Sequence, residues 1–204
     1  MKQKPISDLR ERRHWIFDLD GTLTVAVHDF AAIRNELGVP HGSDILGYLA
    51  TLPARDADML HKRLQQIELE LAAVTVTAAG APELLSRLRD NGSRMGILTR
   101  NTRENALRTL ELIGLGSYFE SDDILGREQA HPKPDPDGIF RLMSRWGAPP
   151  SDAIMVGDYL YDLQAGRQAG ALTVHVDTTG GFSWPEFTDL SVETLETLAT
   201  WIAG

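Results

Sequence analysis

Four short apolar runs punctuate the chain, and each ends in polar residues. His14 to Phe17 (HWIF) runs into DLDGT, and Arg94 to Thr99 (RMGILT) follows Asn91-Gly92. Ala153 to Asp158 (AIMVGD) repeats the form, and Ala171 to Val176 (ALTVHV) follows Gly170. Such runs, bounded by turn residues, predict buried strands. Between them Pro82 to Asp90, Thr102 to Ile113, Pro136 to Trp146 and Tyr161 to Ala169 carry apolar residues at helical spacing, several closing on Gly. A fifth strand is predicted near Tyr118 to Leu125. The alternation predicts an α/β fold, a parallel sheet with helices on both faces. Ligands of such sheets collect at the carboxyl ends of the strands, where Asp18, Thr99 and Asp158 fall.

The region from Thr24 to Ala79 breaks this order. It offers no strand, only helical candidates at Asp29 to Leu37, Ser43 to Leu52 and Arg55 to about Ala73. In the last, Leu60, Leu64, Ile67 and Leu71 form one apolar stripe, read as helix packing. His61, Lys62 and Arg63 read as a solvated face. The pattern therefore predicts a helical insertion at 24–79 in a core made of 1–23 and 80–204. From Asp177 onward the chain carries acids but no Lys or Arg, and reads as a solvated helix and loop with Leu190, Leu195, Leu198 and Ile202 packed on the core.

Composition narrows the chemistry. Cys is absent, which excludes disulfides, thiolate zinc sites, iron–sulfur clusters and a cysteine nucleophile. The formal net charge of -9 speaks against nucleic-acid phosphates and anionic membranes as partners, while leaving a small phosphorylated molecule open. The N-terminal stretch mixes Lys2, Lys4, Arg10, Arg12 and Arg13 with Asp8 and Glu11 and lacks a signal-peptide apolar run. No stretch approaches a membrane span. The cytoplasm is the expected location, and the pattern assigns no oligomeric state.

Two acidic motifs sit at strand ends. Asp18-Leu19-Asp20-Gly21-Thr22 does not fit a calcium loop, since Gly falls fourth rather than sixth and the twelfth residue is Asp29 without the intervening ligands. Gly157-Asp158-Tyr159-Leu160-Tyr161-Asp162 places two acids four apart across a loop and a first helical turn. Together Asp18, Asp20, Asp158 and Asp162 would repel one another without a cation, and an all-oxygen set selects a hard one, Mg²⁺ foremost. Thr99, in LTRN, offers a hydroxyl to an anion, and Lys133 sits among prolines 132, 134 and 136. Taken singly, Thr99 reads as a helix N-cap and Lys133 as a surface lysine; it is their order and placement that join them to the acids.

These residues resemble the motifs of the haloacid dehalogenase superfamily, and of its phosphoglycolate phosphatase-like branch in particular. DLDGT is similar to the first motif, Thr99 to the second, Lys133 to the third and GDYLYD to the fourth. The resemblance implies a Rossmann-like core with a helical cap and an Mg²⁺-dependent phosphatase of a small phosphorylated metabolite, phosphoglycolate-like. It implies Asp18 as nucleophile and Asp20 as general acid and base. Thr99 and Lys133, with Arg100 and Asn101 beside Thr99, would form the phosphate-binding set. Asp18, Asp20 (through its carbonyl), Asp158 and Asp162 would hold the metal.

Asp20 separates this pattern from the dehalogenases, which lack it. A phosphonate hydrolase would need a cap lysine, and Lys62 is the single Lys between Thr24 and Ala79. A phosphomutase shares the core residues and stands as the alternative; a non-catalytic binding module would have lost one of these acids. The chain departs from the pattern at Thr24-Val25-Ala26, at Arg100 and in a short cap, all of which bear on substrate. Arg34, Arg55, His61, Lys62 and Arg100 are the candidates to meet its distal part.

Overall fold

The computed structural model describes residues 7–203, which leaves Lys2 and Lys4 outside it. Among the described residues six strands form one parallel sheet: β1 (His14–Phe17), β2 (Arg94–Leu98), β3 (Ile124–Leu125), β4 (Ala153–Gly157), β5 (Leu172–Val176) and β6 (Leu190–Val192), in the order β3-β2-β1-β4-β5-β6. The chain builds outward from β1 on one side, then returns to lay β4 against its other edge. That reversal places β1 and β4 at the switch point, where strand ends leave a crevice.

Side-chain alternation sorts the core into two faces. Trp15, Phe17, Ile97, Ile154 and Val156 point to one side with α5 (Ala81–Asp90), α6 (Arg103–Leu112) and α9 (Leu195–Ala203). Ile16, Leu98 and Met155 point to the other, with α7 (Asp137–Trp146) and the later turns of α8 (Leu160–Ala169) behind them. Because helices cover both faces, the central strands are apolar throughout, as in the sequence runs.

The sequence reading differs from this sheet at two places. The strand expected near Tyr118 to Leu125 shrinks to two residues, because Gly116–Tyr118 and Ser121–Asp123 tighten into 3₁₀ turns. The tail holds a strand as well as a helix: Leu190 and Val192 pair with Val174 and Val176 of β5.

Between β1 and α5 lie α2 (Phe30–Leu37), α3 (Ile45–Leu49) and α4 (Ala54–Ala72). Asp29 caps α2, its side chain accepting from the amides of Ala31 and Ala32, which explains its place without any calcium. The three helices share an apolar cluster of their own, built on Ile33, Leu37, Leu49, Leu64 and Ile67, with Leu60 and Leu71 packed against it. Both ends of the block meet in a narrow neck, where Thr24 bridges Thr77, the Val25 amide donates to the Val76 carbonyl and the Ala78 amide donates to that of Leu23. Among the described residues no helix is long and apolar enough to cross a membrane.

Candidate active site

The loop after β1 carries Asp18, Asp20, Gly21 and Thr22, and that after β4 carries Asp158. The Asp18 amide donates to the Val156 carbonyl, so the ladder holds the two loops side by side. Gly21 adopts a φ of 89°, and a Cβ there would lie 2.4 Å from an Asp158 oxygen. Only glycine allows this turn and this approach. Thr22 donates its hydroxyl to Asp158 at 3.1 Å, and Thr24 accepts from the Gly21 amide while donating to the Leu19 carbonyl.

Three carboxylates converge: one oxygen each from Asp18, Asp158 and Asp162 lie within 4.8 Å of one another. Lys133 is buried between two of them, its Nζ 2.5 Å from Asp18 Oδ1 and 2.6 Å from Asp162 Oδ1. Asp162 also accepts from the Tyr159 amide, which fixes it at the start of α8. One ammonium among three acids leaves excess negative charge. Burial, then the Asp18 and Asp162 charges, push Asp158 up to about 8, and burial followed by Asp18 pushes Asp162 up to about 6, against the pull of Lys133. Burial also raises Asp18, and Lys133 opposes it; burial alone would lower Lys133, but Asp162 and Asp18 together hold it above its ordinary value.

This oxygen-only set, short of positive charge, fits a hard divalent cation. The Asp20 carboxylate stands outside it. Its Oδ2 faces the Asn101 amide nitrogen at 3.4 Å, while Asn101 Oδ1 accepts from the Thr102 amide. Thr99 follows β2 directly, its hydroxyl accepting from the Asn101 amide, and it is Thr102 that caps α6. The helix-cap reading of Thr99 therefore gives way to a buried hydroxyl beside the acids.

A cavity of about 240 Å³ opens over these groups, lined by Asp18, Asp20, Thr99, Arg100, Asn101, Lys133, Asp158 and Asp162 and roofed by residues of the helical block. Arg100 is spoken for: it donates to Asp44 Oδ1 at 2.5 Å and to the Lys133 carbonyl at 3.0 Å, and its guanidinium lies 4.5 Å from the centre of the Tyr161 ring. Arg34 lines the cavity and donates to the carbonyls of Ser43 and Phe30. Arg55, His61 and Lys62 lie outside the lining.

Residues 13–170 match the haloacid dehalogenase-like hydrolase family. The chain belongs to this family. An uncharacterized hydrolase of Saccharomyces cerevisiae is 30% identical over 95% of this chain and 92% of its own length. The validoxylamine A 7'-phosphate phosphatase of Streptomyces hygroscopicus is also 30% identical, over 80% of this chain and 85% of its own. The crystal structure of a hydrolase from Pseudomonas syringae superposes with a TM-score of 0.77 at 25% identity, covering 94% of this chain and 98% of that one. In this haloacid dehalogenase-like hydrolase the motif residues all reach one cavity.

The sequence reading did not find Asp44, Glu68 and Arg127. Arg127 pairs with Glu68 of α4 at 2.7 Å and donates to the Arg100 carbonyl at 3.2 Å. Asp44, just before the apolar Ile45-Leu46, had an N-cap signal to find it by; Glu68 and Arg127 had none.

Gly157 offers a direct test of how the acids are held. A Cβ there would lie 2.2 Å from the Asp162 Cβ. Gly157→Ala is expected to displace Asp162, lower stability by about 2 kcal/mol and weaken divalent-cation binding. Urea unfolding and calorimetric titration with Mg²⁺ check it, and unchanged values in both would refute it.

Proposed function

We propose that the protein is an Mg²⁺-dependent phosphatase that hydrolyses a small phosphomonoester through an aspartyl-phosphate on Asp18, acting in the cytoplasm. The observation that carries this reading is the buried Asp18 carboxylate, placed against Lys133 and within reach of Asp158 and Asp162 at the floor of the cavity. The phosphatase name of the Streptomyces relative supports it.

Asp18 attacks phosphorus, the bond from phosphorus to the alcohol oxygen breaks, and Asp20 gives that oxygen a proton. Water then attacks the aspartyl-phosphate, Asp20 takes its proton back, and phosphate leaves with Asp18 regenerated. The Asn101 amide keeps Asp20 aimed into the cavity between these two transfers. Thr99 and Lys133 bind phosphoryl oxygens, with Asn101 beside them, and Arg100 bounds that pocket on the side of the helical block. Mg²⁺ would be held by Asp18, Asp158 and Asp162 with the Asp20 carbonyl, and would supply the positive charge that lets an anionic carboxylate meet an anionic phosphate. Residues 24–79 act as a cap that excludes water from a core of 1–23 and 80–204.

A panel of phosphate esters assayed with Mg²⁺ and with a chelator tests this. Phosphate release that depends on the cation is expected; no release from any ester, or release indifferent to chelation, would sink the proposal. Return of the phosphoryl group to a second substrate hydroxyl instead of water would identify a mutase.

A further inference from the structure

The roof of the cavity presents two carboxylates, Asp44 and Glu68, and one arginine, Arg34. Glu68 lines it from α4 and is only 8% exposed, yet its Oε2 has no hydrogen-bonding partner. Its other oxygen is held by Arg127, so the side chain is fixed in place with one acceptor unused. A buried acceptor left without a donor is costly, and native structures keep such an atom where a ligand or water completes it. The cations near it are already engaged: Lys133 by two carboxylates, Arg127 by Glu68, and Arg100 by Asp44. Arg34 meets only backbone carbonyls. Burial, and less so the Asp20 charge, keep Glu68 up near 7, so its free oxygen serves as an acceptor above about that pH.

Building on the phosphatase reading, we infer that Glu68 is a specificity residue whose free oxygen accepts a hydrogen bond from the alcohol part of the substrate. The preferred esters therefore carry hydroxyl or ammonium donors, and an acidic alcohol such as glycolate is disfavoured. The phosphoryl group sits on the floor with Lys133 and Thr99, while the remainder of the ester rises past Asp20 towards α4. A carboxylate there would face Asp20 and Glu68 together. A donor would meet an acceptor that is already positioned, so its binding needs little reordering. Sites of this kind reject analogues lacking the donor strongly, because the buried polar group is then left unpaired.

The test compares kcat/KM with Mg²⁺ for four esters of similar size: glycerol phosphate (hydroxyls), phosphoethanolamine (ammonium), propyl phosphate (no donor) and phosphoglycolate (carboxylate). The intact enzyme is expected to favour glycerol phosphate or phosphoethanolamine over the other two by about tenfold or more. Glu68→Met, close in volume, removes the acceptor and should shrink that preference about tenfold. Glu68→Gln retains an oxygen for Arg127 and so protects the fold; it should reduce the preference for phosphoethanolamine more than that for glycerol phosphate, separating the two donors. Preference for phosphoglycolate or for propyl phosphate overturns the inference, as does a donor preference unmoved within twofold in whichever Glu68 variants fold. Loss of turnover on all four esters while other esters of the panel are hydrolysed overturns this inference alone; no turnover of any ester defeats the phosphatase reading and this inference with it.

Discussion

Asp18→Asn is expected to lower kcat/KM by about 1,000-fold or more, equivalent to about 4 kcal/mol of transition-state stabilisation, while leaving the protein folded. An amide oxygen is a poor nucleophile, and the covalent route has no second carboxylate at the same position. Stability should hold, because the substitution relieves crowding among three buried acids and leaves the Lys133–Asp162 pair intact. Cation affinity should fall with it, since Asp18 is one of the three converging acids. Steady-state kinetics on the best ester, with thermal melts of both proteins, make the comparison. Activity surviving within tenfold would remove Asp18 from the chemistry.

The second large effect is a reversal of pH dependence by metal. Native Asp158 holds its proton up to about pH 8, whereas the unfolded chain releases it near the ordinary carboxylate value of 3.8. The native state thus binds more protons across that window, and stability falls as pH rises. With a chelator present, raising pH from 6 to 8 should cost about 2 kcal/mol and lower the melting temperature by about 5 °C for a chain of this length. Glu68, held up to about 7, contributes in the same direction. Mg²⁺ binds the deprotonated carboxylates of the native state, so it should stabilise more at pH 8 than at pH 6. Calorimetric melts at pH 6, 7 and 8 with and without Mg²⁺ decide the matter; metal-free melting temperatures that stay level would contradict it.

The strands at β1, β2, β4 and β5 were legible because burial on both faces demands continuous apolar residues, and such runs stand out in sequence. Leu190-Ser191-Val192 was not, since three residues with one polar member have no pattern of their own and become a strand by pairing with β5. The helix read as Ser43 to Leu52 spans Ile45–Leu49; it starts late because the Asp44 side chain caps it, accepting from the Gly47 amide. The same contrast holds in the cavity. Asp18, Asp20, Thr99, Lys133, Asp158 and Asp162 lie at strand ends or beside stiff turns, where neighbouring residues declare the geometry. Glu68 and Arg127 are 59 residues apart, and Asp44 and Arg100 are 56 apart. Along the chain Glu68 and Arg127 look like solvated charges, nothing marks Asp44 as the partner of Arg100, and only the folded helical block brings each pair together.

The neck formed by Thr24 and Thr77 gives the molecule a modular anatomy. Because the two crossings are adjacent, the helical block begins and ends at nearly the same point in space, so the strand order does not depend on its length. Exchanging the block would alter what Asp44 and Glu68 present to the cavity, while Asp18, Lys133, Asp158 and Asp162 stayed on their strands and turns. On the phosphatase reading, the block can therefore change what it presents to a substrate while the chemical floor beneath it stays the same.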